Sequence, residues 1–343
     1  MRKAKEADVR KYCEDGPSPM VLALLQQIKD SRNGSIGIGS SRSNTNDDNN
    51  NNNNNNNKLQ SLLTKRKGTI SIIAEYKRKL AGSGFLSEVP APELLSPVFR
   101  EFGASAIAVL ADERSGGCTY ADVATFVAEQ ANAIDEVPGP LPVISNDSIV
   151  DEIQIARAKE AGAIAVTVDY GLLMTTGNDD ETTVRLTQFI RDAKVLNMET
   201  IVIVSTPREA QNAVDAGATI LCVSGSIIGA MPKYNVVSNI TTTTPTKTSS
   251  TAGGGASICI IANILARDNK ALEEVEEAWS CRDLGFNCVW ISDALYKSGN
   301  DPVEHPGAII QSMRLKSSVQ YASPKARSGK GEGAREYLGD ILM

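Results

Sequence analysis

The chain has 343 residues, with 35 basic and 41 acidic side chains, a single histidine and a formal net charge of −6. The excess of acid leaves no surplus of Lys and Arg to neutralise nucleic-acid phosphates, and one histidine, His305, excludes a multi-histidine zinc site and restricts a Ser-His-Asp triad to that residue. A hydrophobic fraction of 41% supports a sizeable core, while no run approaches the roughly 20 apolar residues of a membrane span.

In chain order, residues 1–30 read as an N-terminal helical extension. The opening MRKAKEADVRKY mixes acids with bases and has no apolar stretch, so neither a secretory signal nor an acid-free transit peptide is visible. The expectation is a soluble intracellular protein, of the cytoplasm or an organelle stroma. Residues 31–68 read as a Ser/Asn-rich disordered insert and linker containing the unbroken tract Asn49–Asn57, because such a composition buries too little apolar surface to offset chain entropy.

From 69 to 322 the chain alternates short apolar, β-branched runs with helical patterns. The strand-like runs are 71–77, 106–111, 141–146, 163–170, 200–206, 219–225, 257–263 and 287–293. Several helical patterns stop at Gly103-Ala104, Gly162-Ala163 and Gly217-Ala218, where glycine fits a left-handed helix cap. Near-continuous hydrophobic strands alternating with amphipathic helices predict a parallel sheet covered by helices. Eight such units predict the α/β class with a closed (β/α)8 TIM barrel, and no GxGxxG follows the first strand to support a dinucleotide-binding sheet. After the sixth strand the sequence SIIGAMPKYNVVSN predicts a helix that is short, displaced or missing. It is followed by a Thr/Ser/Gly tract at 238–256, read as a disordered insert that interrupts the barrel. Residues 323–343 read as a flexible tail whose last residues could form a short docking helix.

Six cysteines without a CxxC pair argue for reduced thiols rather than a zinc ribbon or a disulfide framework. Cys222, Cys259 and Cys288 sit in apolar runs as small hydrophobes. Trp279 and Trp290 read as core residues, the Ser115–Cys118 stretch as a plain loop, His305 as a surface turn between prolines, and Gly253–Gly255 as linker rather than a phosphate loop.

In such a barrel the active site lies at the C-terminal ends of the strands. Strand 1 ends in Ala74-Glu75-Tyr76-Lys77, and alternation puts Ile73, Glu75 and Lys77 on one face. If that face is the interior, a carboxylate and an ammonium stand at the mouth, where they pair with each other as a structural ion pair or serve a ligand.

The motifs IIAEYKRK, AIAVLADERSGGCTYADV, LPVISNDSIVDEIQIARAKEAGA and GATILCVSG, in that order and spacing, closely resemble indole-3-glycerol-phosphate synthase over residues 69 to about 302. KAKEADVRKYCEDGPSPMVLALLQQIK is similar to that family's extra helix before the barrel. The resemblance implies ring closure of 1-(2-carboxyphenylamino)-1-deoxyribulose 5-phosphate with loss of carbon dioxide and water, in tryptophan biosynthesis. It implies a carbon-carbon lyase that needs no metal or other cofactor. Glu75 and Lys77 match the family's strand-1 pair. Other positions depart from the pattern: the lysine general acid of strand 3 falls on Asn146 and the strand-5 glutamate on Ile203. Ser224 and Ser226 replace the strand-6 asparagine and arginine, Ala262-Asn263-Ile264 replaces ESG on strand 7, and Ser292-Asp293 replaces Gly-Glu after strand 8.

These matches make Glu75 and Lys77 the retained catalytic candidates, with Asn146 and Ile203 as substituted catalytic positions. Ser224 and Asn263 are candidates for substrate binding, and Ile264, Ser292 and Asp293 for phosphate binding. Losing a positioned acid and base, at typically 10²–10⁴-fold each, predicts impaired or lost activity unless Arg78, Lys79 or Asp147 substitutes. The alternative is a non-catalytic barrel acting as a phosphate-ligand sensor or protein-interaction scaffold. The partner expected is a phosphorylated small molecule, with neither nucleic acid nor membrane; the sequence leaves a protein partner and the oligomeric state open.

Overall fold

A computed structural model of the chain describes residues 1–34, 58–64, 68–80, 84–85, 89, 91–174, 179–241, 258–267, 272–296 and 306–314. Three helices come first: α1 (Arg2–Asp15), α2 (Pro19–Gly34) and α3 (Lys58–Leu63). Strand β1 (Ser71–Tyr76) is followed by a small hairpin, Lys79–Leu80 against Gly84–Phe85, then α4 (Pro92–Glu101), β2 (Ala106–Leu110), α5 (Tyr120–Ala131) and β3 (Val143–Asn146). Next come α6 (Glu152–Glu160), β4 (Ala165–Asp169), the single turn α7 (Tyr170–Leu173), α8 (Asp179–Val195), β5 (Glu199–Val204), α9 (Pro207–Asp215) and β6 (Ile220–Val223). The chain continues through α10 (Ala230–Val237), β7 (Cys259–Ile264), α11 (Leu272–Leu284) and β8 (Cys288–Ile291) to a 3₁₀ turn, Asp293–Leu295, and a last helix, α12 (306–314).

The eight strands, β1 to β8, pair in sequential order and β8 closes on β1, with every ladder parallel. The (β/α)8 barrel expected from the alternating pattern is therefore the fold. Strand alternation separates two cores. Inward residues such as Ile73, Ala108, Ile144, Ile201, Cys222, Ile261 and Trp290 fill the barrel, while Ile72, Val109, Val202 and Leu221 face the helices. Capping follows the sequence as well: Gly103, Gly162 and Gly217 take φ of 92°, 86° and 96°, and the next residue's N–H returns to the helix, as in Ala163 N–H to Ala158 O at 3.0 Å. Thr119 and Asp151 start α5 and α6 with reciprocal capping boxes.

Three expectations about organisation are corrected. The N-terminal extension is two helices rather than one, and the second runs to Gly34, past the expected boundary at 30. Within 31–68, residues 58–63 are not linker. They form α3, whose Leu59 and Leu63 are fully buried in the interior core and close the N-terminal end of the barrel. Glu199 at the start of β5 accepts the N–H groups of Leu59 and Gln60, a carboxylate at a helix N-terminus where it is favoured, and Ser71 Oγ donates to Leu63 O at 2.8 Å at the other end. The sixth helix, α10, is short, at eight residues, which is one of the alternatives expected. The first residues of the 238–256 tract belong to the fold: Ser238 ends α10, and Thr241 N–H donates to Gln211 Oε1 at 3.0 Å. Residues 35–57, 242–257 and 315–343, which contain the Asn tract, Gly253–Gly255 and the tail, lie outside the described residues, as does His305.

Candidate functional site at the barrel mouth

Glu75 and Lys77 both face the C-terminal mouth, as alternation predicts, but they do not pair with each other. Asn146, at the end of β3, donates from Nδ2 to Glu75 Oε1 at 2.6 Å. Its own Oδ1 accepts from Thr167 Oγ1 on β4 at 2.7 Å, which fixes the amide orientation. Lys77 Nζ forms its ion pair with Asp293, in the 3₁₀ turn after β8. Both partners are buried, with side chains 10% and 4% exposed, so the charges satisfy each other away from bulk water. Tyr296, packed against the outer core, donates its hydroxyl to the backbone Glu75 O at 2.8 Å. Glu75 and Lys77 are thus each engaged by a side chain from another strand end.

The remaining candidates separate by face. Ile203 of β5 packs against the interior core and brings no ionisable group to the mouth. Ser224 is shared with Ser226 through a 2.9 Å hydroxyl contact. Asn263 lies in register with Trp290 on β8, and its Oδ1 is buried without a hydrogen-bond partner, a costly state for a polar atom. The Ile264 side chain is fully buried in the outer core, between barrel and helices, because alternation turns it away from Asn263. Ser292 is buried, with Oγ 3.4 Å from Asp293 Oδ1. A carboxylate paired with Lys77 thus occupies the place expected to receive a phosphate.

None of the three possible substitutes stands free at the mouth. Arg78 pairs with Asp122 at 2.7 Å and Lys79 donates to Glu113 O at 2.7 Å. Asp147 points to the outer side of β3, as alternation requires, accepting from Tyr120 Oη at 2.7 Å and Gln154 Nε2 at 2.8 Å, and pairing with Lys5 of α1 at 2.5 Å. Cys118 is buried and its thiol is pushed up to about 12 by desolvation, so the 115–118 loop carries no thiolate. Trp279 and Trp290 are core residues, as expected.

Two mouth residues escaped the sequence reading. Thr167 orients Asn146, and Asp169 ends β4, where alternation from Ala165 already points it inward. Burial raises the Asp169 carboxyl above the ordinary carboxylate range, against the lowering effect of the Leu172 and Gly171 N–H groups. Among the described residues no three His, Cys, Asp or Glu side chains converge to hold a metal ion, and no helix is long and apolar enough to cross a membrane.

The family model for indole-3-glycerol phosphate synthase matches residues 25–225. That stretch carries α2 through β6 and stops before β7, so Asn263, Ile264, Ser292 and Asp293 lie beyond it. Similar curated proteins include the indole-3-glycerol phosphate synthases of Leptospira interrogans, 34% identical over 46% of this chain and 55% of that one, and of Micrococcus luteus, 36% identical over 45% and 52%. The synthase of Paenarthrobacter aurescens is 29% identical over 62% of this chain and 77% of that one. The chain spans about half the length of the first two relatives.

Proposed function

The chain belongs to the indole-3-glycerol phosphate synthase family, and from that premise we propose that it is a member in which the ring-closing, decarboxylating chemistry is impaired or lost. The observation that carries this reading is the internal pairing at the mouth. Glu75 accepts from Asn146, at the position the resemblance assigns to the lysine acid, and Lys77 is neutralised by Asp293. An asparagine amide donates a hydrogen bond but delivers no proton, and Ile203 offers no base. A substrate carboxylate would have to displace Asp293 from Lys77 before it could use that ammonium, and its phosphate would meet a carboxylate. Each missing proton-transfer group is worth typically 10²–10⁴-fold.

The test is an assay of the full chain with 1-(2-carboxyphenylamino)-1-deoxyribulose 5-phosphate, following indole fluorescence beside an intact synthase. Turnover at least about 10²-fold lower is expected, and turnover equal to the intact enzyme overturns the reading. Calorimetric titration with the same compound and with inorganic phosphate separates a barrel that still binds the ligand from one that serves as a scaffold.

A further inference from the structure

A cavity lies at the opposite end of the barrel from the mouth. It has a volume of about 420 Å³ and opens between α8, the start of β5 and the turn from α9 into β6. That size falls in the lower part of the range of ligand pockets, roughly 300–1,000 Å³. One side is apolar, formed by Ile190 and Met198 with Ala216 and Ala218. Between the two alanines, Gly217 takes φ of 96°, and a Cβ there would meet nothing within 4 Å, so the cavity is open at that turn.

The other side carries charge and a stranded hydroxyl. Arg191 and Lys194 stand three residues apart on one face of α8. Both are exposed, and neither side chain has an ion pair or hydrogen bond among the described residues. Lys194 lies in the last turn of α8, where a cation complements the helix dipole, but Arg191 precedes that turn. Thr200, turned outward by alternation from the inward Ile201, also lines the cavity. It is only 8% exposed, and its Oγ1 is buried without a hydrogen-bond partner, a costly state for a hydroxyl. Its χ1 rotamers exchange hydroxyl and methyl, so Oγ1 can turn to an acceptor in the cavity. The acid of the lining, Glu199, is already engaged, since its carboxylate accepts the N–H groups of Leu59 and Gln60.

We propose that this cavity is a binding site for a small carboxylate with an apolar body, such as an arylcarboxylate. The carboxylate takes charge-assisted hydrogen bonds from Arg191 and Lys194 and a further one from the Thr200 hydroxyl. The planar guanidinium fork of Arg191 suits a planar carboxylate, and the apolar body lies on Ile190, Met198 and the two alanines. The site is separate from the mouth, so it stands whether or not the ring-closing chemistry is retained.

Benzoate is the probe. The full chain, carrying ¹³C at its methionine methyl groups, is titrated at constant ionic strength and followed by NMR, with Met198 assigned through Met198→Leu. The Met198 methyl is expected to shift saturably. Arg191→Gln with Lys194→Gln, both exposed, should weaken binding by about tenfold or more, because each removes a charge-assisted hydrogen bond. Thr200→Val should weaken it several-fold without lowering the urea midpoint, since the change removes an unpaired hydroxyl at nearly constant shape. Inorganic phosphate, which lacks the apolar body, should displace benzoate only at higher concentration. Absence of a saturable Met198 shift, or binding that the double glutamine variant leaves unchanged, overturns the proposal. Phosphate binding as tightly as benzoate overturns it as well, because the cavity would then read charge alone.

Discussion

At the scale of single residues, the mouth is governed by pairing rather than by free charge. Breaking a buried ion pair from one side strands the other charge and costs about 3–5 kcal/mol, whereas replacing both members with apolar groups is often close to neutral. Asp293→Leu is therefore expected to destabilise strongly, and Lys77→Met with Asp293→Leu to recover most of the loss, as urea unfolding of the double-mutant cycle will show. Asp169 behaves differently because burial raises its carboxyl. Between its unfolded and folded pKa the native state holds the proton more tightly, so the stability it contributes is present at acid pH and lost as pH rises through the folded value. Asp169→Asn retains a capping side chain for Leu172 N–H and is expected to flatten that decline. A pH series of unfolding midpoints with unchanged slope against pH would refute this assignment.

At the scale of elements, α2 and α3 are held by apolar burial and α1 by a different balance of forces. Leu59 and Leu63 of α3 are fully buried against the interior core, so Leu63→Ala should cost about 2–5 kcal/mol, read as a lowered urea midpoint. Val21 and Ile28 anchor α2 in the same apolar manner. Helix α1 contains no fully buried residue; Val9 and Tyr12 pack partly buried against the outer core, and polar groups add further attachment. Lys5 bridges Asp112 at 3.4 Å and Asp147 at 2.5 Å, Arg2 reaches Leu173 O at 3.3 Å, and Arg157 lies between the rings of Tyr12 and Tyr120, at 3.9 and 4.3 Å. Salt should therefore loosen α1 selectively: hydrogen exchange of residues 2–15 is expected to accelerate between 0.1 and 1 M NaCl while that of α2 holds. Equal acceleration in both helices would contradict this division.

At the scale of the whole molecule, the two cores inside and outside the barrel wall account for stability. The sequence determined the eight strands and their order, because short, near-continuous β-branched runs between helical patterns and glycine caps are local signals. It also determined which family the motifs resemble. It did not reveal α3, since six residues after an asparagine tract carry no periodicity long enough to read. Nor did it reveal the partners of Glu75 and Lys77. Asn146 is 71 residues from Glu75 in the chain, and Asp293 is farther still from Lys77. Only barrel closure brings the ends of β1, β3 and β8 to one mouth, where charges that local spacing leaves open must find partners because water is excluded.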